Sequence, residues 1–132
     1  MKVTQKEKTF TIGKVAQIKA ISTYTLRYYD DQGLLPKVFR DKNGNRIFTE
    51  EDLQWLDMIK CLKNTGMPLE QIKTFVDATY QGNQTLPARI SLLNQQAQKI
   101  KDNIEEQQTY LDKINQKIKT LNNENANSLQ AP

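Results

Sequence analysis

The sequence predicts a mainly α-helical chain in two parts: a compact head of short helices interrupted by one β-hairpin, and a long C-terminal coiled-coil helix. Three observations predict it. Leu86, Ile90, Leu93, Ala97, Ile100, Ile104, Gln107, Leu111, Ile114, Ile118 and Leu121 recur in alternating steps of three and four residues, the spacing of a coiled-coil seam. Two short apolar-periodic segments near the N-terminus are separated by a break of helix-turn-helix length. Pro36 and the pair Asn43 and Gly44 then punctuate a stretch with apolar ends, as a hairpin requires.

The first helix begins at Thr11, a plausible N-cap, and carries Ile12, Val15, Ala16 and Ile18 to about Lys19. Ser22 caps the second, which contains Tyr24, Leu26, Tyr28 and Tyr29, and Gly33 ends it with Leu34 and Leu35 turning inward. Pro36 bars continuation. Residues 37–48 then read as the hairpin, with Val38 and Phe39 and then Ile47 and Phe48 supplying its apolar strand ends, and with Asn43 and Gly44 supplying positive φ at the turn. A hairpin after a helix-turn-helix is a winged helix-turn-helix. Thr49 and Asp52 form a variant capping box that opens a third helix, whose Leu53, Leu56, Ile59 and Leu62 give it a buried face. Gly66 stops it. Pro68 starts a fourth helix through Leu69, Ile72, Phe75 and Val76 to about Tyr80. The seam from Leu86 to Leu121 is about 53 Å long at 1.5 Å per residue. So narrow a stripe needs a second chain to cover it, and Gln107 would set its register. The expected divisions are 9–80 for the head and its linking helices, 85–122 for the dimerisation helix, and 123–132 as a polar, disordered tail.

Composition narrows the function. Apolar residues make up 37% of the 132, and mean hydropathy is -0.72, polar for a single compact globule and consistent with an elongated oligomer. No apolar run approaches the roughly 18 residues that span a membrane, and MKVTQKEKTF lacks the apolar core of a secretory signal. The single cysteine, Cys61, excludes an internal disulfide and fits a cytoplasmic location. The net charge of +4 lies wholly in the first half: residues 1–66 hold 12 Lys and Arg against 8 Asp and Glu, while residues 67–132 hold 7 of each. With no histidine, the chain has no imidazole base, catalytic triad or histidine metal site, and one thiolate cannot build a metal cage alone. The carboxylates at 50–52 and 105–106 are explained by a helix start and a solvated coil face. No enzyme activity, cofactor or metal is expected.

The chemically informative residues lie on the second helix: Thr25, Leu26, Arg27, Tyr28, Tyr29 and Asp30. Leu26 is its buried anchor, while Tyr24, Arg27 and Tyr28 belong largely to the other face. A guanidinium fork matches phosphate or a guanine edge, and a tyrosine hydroxyl reaches phosphate oxygens. The adjacent tyrosines serve equally well as core and rim residues, and a coiled-coil scaffold whose head binds protein is the competing class.

Taken in order, Thr11 to Ala16 (TIGKVA), Thr25 to Asp30 (TLRYYD), Gly33 to Leu35 (GLL), Asn43 to Arg46 (NGNR) and Phe48 to Leu53 (FTEEDL) resemble the MerR family of transcription regulators, over roughly residues 9–80. The resemblance implies a winged helix-turn-helix head, two linking helices and an antiparallel coiled coil between the protomers of a homodimer. It places the second helix in the major groove of promoter DNA and the hairpin on phosphates. By this resemblance DNA contacts fall to Thr11, Ile12, Tyr24, Thr25, Arg27, Tyr28 and Tyr29. Lys37, Arg40, Asn45 and Arg46 follow in the wing, with Lys63 on a phosphate near the centre of the site. Tyr24 stands where arginine is frequent and Asn45 where tyrosine is frequent. Family members distort promoter DNA so that RNA polymerase can use it, a two-state protein doing work on a deformable duplex.

Cys61, between Lys60 and Lys63, resembles the cysteine of the subgroup that answers aldehydes and other thiol-reactive stress. A thiolate attacks such electrophiles without an obligatory partner. Lys60 and Lys63 favour the thiolate, and Asp57 opposes it. The alternatives are a buried, inert cysteine and a regulator without a cysteine switch.

Overall fold

The computed structural model describes residues 8–130. The order is β1 (Thr9–Thr11), α1 (Ile12–Lys19), α2 (Thr23–Asp31), β2 (Phe39–Arg40), β3 (Arg46–Thr49), α3 (Glu50–Asn64), α4 (Leu69–Gln81), a 3-10 turn (Asn83–Thr85) and α5 (Leu86–Gln130). The chain divides between Arg89 and Ile90 into a head and a helical unit. Among the described residues no helix is long and apolar enough to cross a membrane. The N-terminal segment read as lacking a secretory signal lies, for residues 1–7, outside them.

Local chemistry sets the start of the first three helices. The Thr11 and Ser22 side chains accept the Lys14 and Thr25 amides, and Ala20, at φ 54°, closes α1 so that three residues join it to α2. Thr49 and Asp52 complete the capping box in both directions. The Asp52 carboxylate accepts the Thr49 amide at 2.8 Å and the Thr49 hydroxyl at 2.9 Å. It is buried in doing so, and the loss of water pushes its pKa up. Val15, Leu26, Leu34, Leu35, Phe48, Leu56, Ile59, Leu62, Ile72 and Val76 form the core of the head.

The sheet has one strand more than the hairpin predicted. β1 pairs antiparallel with β3, Phe10 opposite Phe48, and the order is β1-β3-β2. The wing therefore rests on a strand that enters from before α1. At its tip only Gly44 of the Asn43 and Gly44 pair takes positive φ, 81°. Asp41 accepts the Gly44 amide through its carbonyl and the Asn43 and Asn45 amides through its carboxylate. This is a three-residue loop with a glycine bulge, not a two-residue turn. The amides, Asn45 first, hold the Asp41 carboxyl below its ordinary pKa.

α5 corrects the expected tail. It runs unbroken to Gln130, through the segment expected to be disordered from 123; residues 131–132 lie outside the described residues. Residues 88–130 contain neither glycine nor proline, so a nucleated helix propagates at little cost even through asparagines. Within this unit Ile90, Ile104, Leu111, Ile114, Ile118 and Leu121 are all exposed.

Candidate nucleic-acid interface

A hollow of about 480 Å³ opens between the helix-turn-helix and the wing. Thr11 and Ile12 from the β1–α1 junction, Arg27 from α2, and Arg40, Asn45 and Arg46 from the wing all line it. Six residues expected to meet DNA thus come from five elements and the loop between β2 and β3 to one concavity. Neither α1 nor α2 carries an acid in its first turn, which leaves their positive amide ends unopposed.

A second hollow, about 300 Å³, lies where α2 begins. Ser22, Thr25 and Tyr29 face Lys60, Lys63 and Asn64 of α3 across it. Tyr29 and Lys63 are coupled: the Lys63 ammonium donates to the Tyr29 hydroxyl at 3.4 Å and sits 5.5 Å from its ring centre. The adjacent tyrosines therefore divide. Tyr29 is 6% exposed and belongs to the core, whereas Tyr28 at 43% and Tyr24 at 77% stand on the outer face of α2 with Arg27. Tyr29 holds Lys63 rather than presenting its own ring to solvent. Lys60 is the cation that sequence reasoning assigned only to the thiol. Its signal was the three-residue spacing from Lys63, which puts both on one helix face.

Three wing cations already have partners within the head. Lys37 sits 5.5 Å over the Tyr80 ring, away from both hollows. Tyr80 accepts the Trp55 indole N–H at 2.8 Å and donates to the Glu51 carboxylate. Burial, then that bond to Glu51, pushes its phenol up to about 12. Arg46 donates from Nε to Asp30 at 2.7 Å and from Nη2 to Asp31 at 2.8 Å. Arg40 donates to the Gly44 carbonyl at 2.8 Å, bracing the loop.

Cys61 is exposed on α3, so it is not the buried small hydrophobe that was one of its alternatives. Asp57, one turn before it, pairs with Lys19 of α1 at 3.0 Å, so its charge is partly offset.

A basic, winged helix-turn-helix head with converging cations defines a DNA-binding class of protein. Comparison with known proteins narrows it. The model for the MerR HTH family regulatory proteins matches residues 10–79, and that for the MerR DNA-binding region matches residues 53–117. An HTH-type transcriptional regulator of Haemophilus influenzae is 49% identical over 110 residues, 83% of this chain and 82% of that protein. AdhR of Bacillus subtilis is 35% identical over 89 residues, covering 67% and 64%. Among solved structures, HiNmlR, described as a MerR family regulator lacking the sensor domain and bound to promoter DNA, aligns with a TM-score of 0.77. It has 49% identity and covers 84% of this chain and 88% of that one. A MerR family regulator from Bacillus thuringiensis aligns with a TM-score of 0.74 at 44% identity, covering 84% and 97%. The chain belongs to the MerR family and is a transcriptional regulator, not an enzyme.

Proposed function

We propose that the chain works as a homodimer on duplex promoter DNA, with residues 9–80 as the DNA-binding unit and 85–122 as the dimerisation segment. α2 enters the major groove through Tyr24, Arg27 and Tyr28. The wing lies on the flanking backbone, and the Lys60 and Lys63 hollow takes a phosphate. The convergence of Thr11, Ile12, Arg27, Arg40, Asn45 and Arg46 on one hollow carries the reading, and the DNA-bound relative at 49% identity supports it. Phosphate contacts set register and affinity, and the side chains of α2 read base edges. Arg27→Ala is expected to weaken binding to the promoter duplex at least tenfold, about 1.4 kcal/mol. Fluorescence anisotropy at moderate salt measures this, and an unchanged midpoint would remove α2 from the groove.

In this proposal two heads joined through α5 bend and untwist the promoter so that RNA polymerase can engage it. Cys61 supplies the trigger. Its thiolate adds to an aldehyde carbonyl carbon, the oxygen takes up a proton, and the adduct enlarges α3 two residues from Lys63. Exposure of the thiol and the pairing of Asp57 with Lys19 support this assignment. Cys61→Ser is expected to leave promoter affinity within twofold and to abolish reporter induction by formaldehyde. A serine variant that still induces fully points instead to a regulator without a cysteine switch.

A further inference from the structure

Family resemblance places Arg46 on DNA, but its geometry points elsewhere. Its side chain is 12% exposed. Nε and Nη2 are both occupied, at 2.7 Å and 2.8 Å, by carboxylates of two successive residues, Asp30 and Asp31. A guanidinium fork divided between two acids is held in direction as well as in charge. These acids end α2, whose last turn carries no base. Two carboxylates at the negative end of a helix repel its carbonyls, and beside a polyanion they would repel that too. Arg46 offsets both effects from the central strand of the sheet, 15 and 16 residues away in sequence.

Arg46 opens β3, opposite Arg40 of β2. A tie from this strand to the end of α2 therefore sets the distance and tilt between the wing and the groove-facing helix. We infer that Arg46 is a positioning residue that clasps the wing to α2 through Asp30 and Asp31, and does not itself grip a phosphate. This rests on the DNA reading above and deepens it: the two aspartates, anionic and close to the duplex, favour binding because they hold the clasp.

The sign of one substitution separates the alternatives. Removing two negative charges near DNA should tighten binding if charge alone matters. The clasp requires the opposite, so Asp30→Asn with Asp31→Asn is expected to weaken promoter binding at least fivefold, at a temperature where melting curves show every variant folded. Arg46→Met should weaken it similarly, and the triple variant no further. The slope of log affinity against log salt should stay as in the parent for Arg46→Met, whereas loss of a phosphate contact would reduce it by about 0.9. Arg46→Lys should rescue little, because one ammonium cannot reproduce the fork. Tighter binding by the asparagine variant, or a reduced slope in Arg46→Met, overturns the clasp. Should the double variant misfold, Asp31→Asn alone, at the more exposed acid, is expected to weaken binding about twofold, and tighter binding is again the opposing result. A parent chain that ignores promoter DNA defeats the DNA reading but still leaves the clasp open to test. Amide exchange over residues 39–47 in the free protein should quicken in Arg46→Met, and unchanged exchange overturns it.

Discussion

Replacing Ile104 and Ile114 together by lysine should turn the protein into a monomer and cost at least a hundredfold in affinity for a promoter with two half-sites. Both side chains stand on the seam of α5, 61% and 58% exposed in the single chain. Covering an isoleucine of this kind stabilises by about 1.5–3 kcal/mol. A matched pair of helices buries each seam position twice, so two charged layers remove several kcal/mol from a single interface. The DNA consequence is larger than either loss. In the proposed dimer, two heads joined through α5 would make the second binding event intramolecular, worth about 10²–10⁴ in overall affinity. Binding to an isolated half-site should change little, since the head is a separate unit of the chain. Sedimentation at micromolar concentration and anisotropy on one-site and two-site duplexes measure both parts. A variant that stays dimeric, or a monomer that keeps the parent affinity for two sites, defeats the dimer proposal.

Phe48→Ala is expected to destabilise the head strongly while leaving α5 helical. Phe48 is fully buried in β3 and lies opposite Phe10 of β1. Emptying such a site costs about 3–5 kcal/mol, against a total of about 5–15 kcal/mol for a domain. For a head of this size the melting point should fall by roughly 15–30 °C. Trp55 reports it directly, because its ring packs edge-on against Phe75 with centres 6.0 Å apart and contacts Tyr80. A shift under about 5 °C, corresponding to about 1 kcal/mol, would mean the sheet is not built on Phe48.

Phe48 also shows where sequence reasoning stopped. Its role as a hairpin residue was legible; its partner Phe10 was not. β1 is three residues long, too short for an alternating pattern, and its pairing spans almost forty residues of chain. Tyr28 and Tyr29 are similar. Both suit a groove-facing helix, and only packing against α3 turned Tyr29 inward beneath Lys63. Asparagine-rich composition suggested a disordered tail beyond residue 122, yet nothing there stops a helix already formed.

Sequence by itself determined what depends on neighbours along the chain. Thr11, Ser22 and Thr49 cap their helices, Gly44 takes the left-handed turn, and the three-and-four spacing of α5 marks a stripe that needs a partner. These are contests between adjacent groups, settled within a turn or two. Tertiary structure alone decided which cations are free. Arg46 is held by Asp30 and Asp31, Lys37 lies over Tyr80, and Lys60 joins Lys63 beside the start of α2. An ion pair forms with whichever opposite charge folding brings within about 4 Å, and no local pattern records that distance.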